Sequence, residues 1–145
     1  MKENMIYLAY GSNLNLRQMR HRCPYAIPIG VATLADYRLL FRGGHHSAVA
    51  TIEPYMGGNV PVLLWEITPR DEEALDRYEG WPHLYRKEMI TVELNGEPVE
   101  AMVYIMNGGD LGQPSSYYLN AITEGYVSAG FDTAVLDEAL VASLT

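Results

Sequence analysis

Two segments of this 145-residue chain carry side chains whose types and spacing suit anion binding and proton transfer. The first is Tyr7-Leu8-Ala9-Tyr10-Gly11-Ser12-Asn13-Leu14. A strand-like run breaks at Gly11-Ser12-Asn13, and a short helical pattern follows. Such a junction leaves backbone N–H groups unpaired at a helix N-terminus, where the dipole adds partial positive charge. These groups form a site for an anion or a developing oxyanion. The same residues also fit a simpler role, with Ser12 or Asn13 capping the helix.

The second segment is Leu75-Asp76-Arg77-Tyr78-Glu79-Gly80-Trp81. Glu79 falls in the last turn of a predicted helix, where the dipole disfavours an acid by roughly 0.3–1 kcal/mol. Alone, that raises a carboxylate pKa by less than ~1 unit. Desolvation by Tyr78 and Trp81 would push the same way. A carboxylate raised toward neutrality is an effective general base; a solvated acid at a helix end is the plainer alternative. Asp71, Glu72 and Glu73 sit at the favourable end of the same helix, so Glu79 is the exception.

Other candidates are weaker. Arg17, Arg20, His21 and Arg22 form a basic run beside the glycine turn, suited either to a solvated face or to clamping a substrate carboxylate. The adjacent His45 and His46 lack metal-ligand spacing and have no acidic or thiol partners, so no metal site is expected. Cys23 precedes a proline and reads as an inert thiol. Ser12 as a nucleophile would need a base and an orienting acid, and Gly11-Ser12-Asn13 is not a Gly-x-Ser-x-Gly elbow. Tyr117 and Tyr118 read as core or groove residues, with one hydroxyl available to a ligand.

The elements that must position these residues follow from pattern. Met5 to Tyr10 predicts a strand, and Leu14 to about Arg22 a helix stopped by Cys23-Pro24. Ile27 to Arg42 predicts a strand bent near Asp36, and Ala48 to Glu53 another. Glu53 to Asn59 reads as a turn-rich connection, and Val60 to Ile67 as a central strand. Thr68, Pro69 and Asp71 predict a capped helix start, with Gly80 as its stop. Leu84–Leu94 and Pro98–Met106 flank Asn95-Gly96, a strong hairpin signal. Ser115 to Ala129 and Asp132 to Leu144 predict two helices, the second with Val135, Leu136, Ala139 and Leu140 inward. Clustered strands without strict β-α alternation argue for an α+β fold. Closing such a sheet into a small barrel would protect its edges.

Composition narrows the field. The length suits one domain, residues 1–145. A net charge of −8 disfavours a nucleic-acid surface or an anionic membrane. One cysteine cannot form an internal disulfide, and no apolar run suggests a signal peptide or membrane span, so a cytoplasmic protein is expected. Eleven tyrosines against two Phe and two Trp suit a pocket for a polar ligand, and equally suit strands. Nothing assigns an oligomeric state.

The Tyr-Gly-Ser-Asn segment after the first strand, Leu75-Asp76-x-x-Glu79-Gly80 followed by Tyr85, and Pro114-Ser115-x-x-Tyr118 together resemble the γ-glutamylcyclotransferase family, which includes the AIG2-like proteins. The likeness runs from about Met5 to Phe131. It implies a small mixed β-barrel with flanking helices. The implied reaction is cleavage of a γ-glutamyl amide by the substrate's own α-amine. Its products are 5-oxoproline and an amino acid or amine, with no metal or cofactor. By position, it makes Glu79 the general acid/base. Tyr7, Leu8, Ala9, Tyr10, Gly11 and Ser12 become the loop holding the γ-glutamyl group, and Tyr118 a substrate-contacting hydroxyl. The competing expectation is a non-catalytic module keeping the same metabolite pocket.

Overall fold

The alternating apolar residues between Ile27 and Ile67 build a long antiparallel ladder on which the molecule is assembled. A computed structural model describes residues 3–144. Its elements are β1 (Met5–Ala9), a 3₁₀ turn (Ser12–Leu14), α1 (Leu16–Arg22), β2 (Ile27–Arg42), β3 (Val49–Ile67), α2 (Pro69–Glu79), β4 (Tyr85–Leu94), β5 (Glu97–Met106), α3 (Ser116–Ala129) and α4 (Ala134–Ala142). The strand order is β2-β3-β1-β5-β4. β1 occupies the centre, antiparallel to β3 and parallel to β5. Leu8 and Ala9 of this short strand are fully buried, as expected of a strand covered on both faces.

The sheet curls until its edges meet. A Cβ placed on Gly30 of β2 would lie 2.7 Å from Leu94 Cδ1 of β4. No ladder joins β2 to β4 among the described residues, so the α+β fold is a barrel-like curled sheet with helices packed around it. α4 lies against β2, burying Leu136 and Ala139, and Ser143 Oγ accepts from the Phe41 amide at 2.9 Å.

The segment Glu53–Asn59, expected as a connection, lies inside β3. β2 supplies a continuous partner, and the extra residues are absorbed as a bulge. Ala35 pairs with Asn59 and Tyr37 with Pro54, leaving residues 55–58 opposite Asp36 alone. Asp36 adopts a positive φ of 64°, and its Oδ1 accepts from the Gly57 amide at 3.0 Å. The ladder thus overrides local turn composition, and the bend expected at Asp36 is the bulge itself.

Local chemistry explains α2. Thr68 Oγ1 accepts from the Asp71 amide at 3.2 Å, and Asp71 Oδ2 accepts from the Thr68 amide at 2.9 Å, a complete capping box. Gly80 closes the helix at φ 70°, a conformation that costs glycine little. The β4–β5 hairpin turns at Asn95-Gly96, with φ 53° and 83°. No helix among the described residues is long and apolar enough to cross a membrane.

Candidate active site

β1 ends at Ala9, and the chain turns before the α1 helix begins. Asn15, rather than Ser12 or Asn13, caps α1, accepting from the Gln18 amide at 3.1 Å. Residues 11–14 are therefore free to form a separate tight turn, closed by the Leu14 amide on Gly11 O at 3.0 Å. The amides of Gly11, Ser12 and Asn13 have no protein acceptor among the described residues. Capping and anion binding do not compete for the same residues, as the sequence had left open.

This turn forms one wall of a cavity of about 190 Å³. Tyr7, Tyr10, Gly11 and Ser12 line it with Val49 and Ala50 of β3, Tyr78 and Glu79 of α2, Tyr85 of β4, Tyr104 of β5 and Tyr118 of α3. The residues named from sequence thus converge, with two exceptions. Leu8 and Ala9 are not among the lining residues; they are fully buried in the core and hold β1 in place. Sequence reasoning did not assign Tyr104 or Ala50 to the site. A tyrosine in a strand fits the pleat as well as a pocket, so no local signal separates the two.

Hydrogen bonds fix the tyrosines. Tyr7 Oη accepts from Asn13 Nδ2 at 2.8 Å, and Tyr10 donates to the Tyr104 carbonyl at 2.6 Å. Tyr85 donates to the Ala50 carbonyl at 2.8 Å, whereas Tyr118 Oη accepts from the Ala50 amide at 3.0 Å. Tyr104 donates to Asp76 Oδ1 at 2.6 Å, and Asp76 and Glu72 both pair with Lys87, at 2.8 and 2.7 Å. That network ties α2, and therefore Glu79, to β4 and β5. Burial, and then the nearby Glu79 carboxylate, hold Tyr7 and Tyr10 well above the usual phenol range. Burial likewise raises Tyr85 and Tyr118, so these hydroxyls stay protonated near neutral pH.

Glu79 is the last residue of α2 and is half-buried at the cavity wall. Burial raises its carboxyl from an ordinary 4.5 to about 7, and the Arg22 cation offsets part of the rise. Desolvation is thus the leading cause, above any helix-end effect. Ser12 Oγ lies 3.0 Å from Tyr78 Oη and 3.4 Å from Arg22 Nη1. Neither partner is a base suited to activating a serine nucleophile. Cys23 is buried, its thiol pushed up to about 12 chiefly by desolvation. Among the described residues, no cluster of three or more His, Cys, Asp or Glu side chains is arranged to hold a metal.

A carboxyl raised to about 7 at the wall of a small tyrosine-lined cavity, which also includes a turn with unpaired amides, is an arrangement suited to acid–base chemistry on a small metabolite. The profile of the family described as "Gamma-glutamyl cyclotransferase, AIG2-like" matches residues 7–125. The γ-glutamylcyclotransferase of Bos taurus is 30% identical over 132 residues, spanning 85% of this chain and 70% of the bovine protein. The Homo sapiens γ-glutamylcyclotransferase is 27% identical over 136 residues, spanning 86% and 71%. A solved structure described as "Gamma-glutamyl cyclotransferase" superposes with a TM-score of 0.85 at 26% identity, covering 94% of this chain and 86% of that one. The chain belongs to the AIG2-like γ-glutamyl cyclotransferase family, and it is an enzyme of that type.

Proposed function

We propose that this enzyme cleaves a small γ-glutamyl amide to 5-oxoproline and an amino acid or amine, with Glu79 as general acid/base. The observation that carries the reading is the Glu79 carboxyl, raised by burial to about 7 beside a tyrosine-lined cavity. A carboxylate so poised accepts a proton near neutral pH and can return it.

The substrate α-amine is largely protonated at neutral pH and cannot attack. Glu79 takes its proton. The freed nitrogen attacks the γ-carbonyl carbon, forming the five-membered lactam. As the C–N bond to the leaving group breaks, Glu79 gives that proton to the departing nitrogen; it then accepts the second proton that the ring nitrogen sheds on becoming the neutral lactam, and passes it to the released amine or to solvent. Because nucleophile and carbonyl belong to one molecule, the cavity need only hold the bent conformer. The amides of Gly11, Ser12 and Asn13 supply donors for the carbonyl oxygen as it gains charge, where one donor is typically worth ~10²–10³-fold. No protein nucleophile is required, in keeping with the surroundings of Ser12 and Cys23.

The test is mass-spectrometric detection of 5-oxoproline from a panel of γ-glutamyl amino acids and γ-glutamyl amines, with Glu79→Gln beside the wild type. Release by the wild type, reduced ~10²–10⁴-fold in the variant, supports the reading. Undiminished release by Glu79→Gln would overturn the role of Glu79. Ligand-induced stabilisation without turnover would instead favour a binding module.

A further inference from the structure

The basic run on α1 separates into unlike fates. Arg17 is exposed and pairs with Glu124 at 2.8 Å, while Arg20 and His21 face outward. Arg22 alone turns toward the cavity. Its Nη1 donates to Asn13 Oδ1 at 2.6 Å and approaches Ser12 Oγ at 3.4 Å. Its Nη2 donates to Gln18 Oε1 at 2.8 Å, and its guanidinium carbon lies 3.8 Å from the centre of the Tyr78 ring. Each terminal nitrogen thus bonds a protein acceptor, one on the turn and one on α1 itself.

We infer that Arg22 is a positioning residue for this site: its planar guanidinium locks the Ser12–Asn13 turn against Tyr78 at the end of α2, setting the free amides of the turn opposite Glu79. The chain of contacts is continuous. Arg22 orients the Asn13 amide group, which in turn donates to Tyr7 Oη. On the other side it stacks on Tyr78, whose hydroxyl is 3.0 Å from Ser12 Oγ. Only a flat, forked cation can bond Asn13 and Gln18 while stacking on a ring; an ammonium supplies the charge without the fork.

Arg22 has a second, electrostatic effect. The groups that act on or feel Glu79 are Tyr7 of β1, Tyr10 of the following turn, Tyr85 of β4, Tyr118 of α3 and Arg22 of α1. Burial keeps those four phenols neutral, which leaves Arg22 as the cation that favours the Glu79 carboxylate. Charge and geometry are therefore separable by substitution.

This inference rests on the reaction proposed above, so the experiment has two arms. The first measures kcat/KM against pH for wild type, Arg22→Met and Arg22→Lys, with Tm recorded for each. The second follows the Glu79 side-chain carboxyl by ¹³C NMR titration without substrate. The Met variant is expected to raise the Glu79 midpoint and to lower plateau kcat/KM about 10- to 100-fold through a misplaced turn. The Lys variant is expected to restore the midpoint but not the rate, and it carries the test if the Met variant does not fold. A Met variant with unchanged midpoint and rate, or a Lys variant with full activity, overturns the inference. A wild type that releases no 5-oxoproline overturns the reaction instead. The NMR arm then still tests the turn: amide shifts of Ser12 and Asn13 that stay at their wild-type positions in Arg22→Met overturn the positioning role, and a Glu79 midpoint that does not move removes the electrostatic one.

Discussion

Tyr85 and Tyr118 grip the same residue from opposite ends: Tyr85 donates to the Ala50 carbonyl at 2.8 Å, and Tyr118 accepts from the Ala50 amide at 3.0 Å. The two hydroxyls therefore present opposite polarity to the cavity they both line. Tyr85 has spent its proton and offers lone pairs, which suit an ammonium. Tyr118 has spent a lone pair and keeps its proton, which suits a carbonyl or carboxylate oxygen.

Removing each hydroxyl should accordingly have a different kinetic signature. Tyr118→Phe loses a donor to the substrate, and kcat/KM is expected to fall about 10- to 100-fold, the range for a hydrogen bond to a charged or charging group. Tyr85→Phe loses an acceptor, and its defect should shrink as pH rises and the substrate amine deprotonates. Parallel pH–rate profiles of the two variants check this; identical profiles would show that the polarity assignment is wrong.

Activity and stability should respond to pH in opposite senses. With its carboxyl raised to about 7, Glu79 must lose its proton to act as base, so kcat/KM is expected to climb through pH 7. In the unfolded chain the same carboxyl titrates near 4.5, so the folded state binds the extra proton between those values. Stability from this group is fully present below the unfolded value and is lost as pH rises through about 7. Glu79→Gln should therefore raise Tm at pH 8 and change it little at pH 4.5. Thermal melts at the two pH values decide it; an equal gain at both would point to a cause other than ionisation.

Gly125 of α3 packs against Leu14, the last residue of the turn that lines the cavity. A Cβ there would sit 2.8 Å from both the carbonyl carbon and the Cβ of Leu14. Because one of these atoms is backbone, Gly125→Ala is expected to push α3 away and cost about 1–3 kcal/mol. Tyr118 rides on the same helix, so the rate should fall together with the denaturation midpoint. A variant with wild-type stability would mean that the helix slides without penalty.

Cys23 offers a negative control. Its thiol is buried and pushed up to about 12, so little thiolate is available at pH 7.5. Iodoacetamide should label the native protein slowly, label the unfolded chain readily, and leave 5-oxoproline release unchanged in the meantime. Rapid inactivation would assign Cys23 a part in the site.

Features written in local chemistry were legible from the sequence. Thr68, Pro69 and Asp71 start α2, Gly80 ends it, and Asn95-Gly96 turns the hairpin, because each acts within a few residues of itself. The bulge opposite Asp36 was not legible as strand, since Pro54, Gly57 and Gly58 read as turn until β2 supplies the ladder. At the site, Glu79 stood out as an acid at the wrong end of a helix. The size of its shift was hidden, because burial comes from residues distant in the chain. Tyr104 and Ala50 were invisible for the same reason, as was the difference between Arg22 and the other cations of its run.

The cavity draws one wall or another from β1 and its turn, β3, α2, β4, β5 and α3, so no contiguous fragment contains it. Catalysis in this chain is consequently a reporter of the whole fold. Turnover and secondary structure should vanish, and tryptophan emission should shift to that of the unfolded chain, along one and the same urea transition, as a single cooperative event. By the same logic, new termini opened at the Asn95-Gly96 turn, with the old ends joined by a linker, would leave every wall in place. Enzyme activity would then serve as a selectable readout of correct folding in cells.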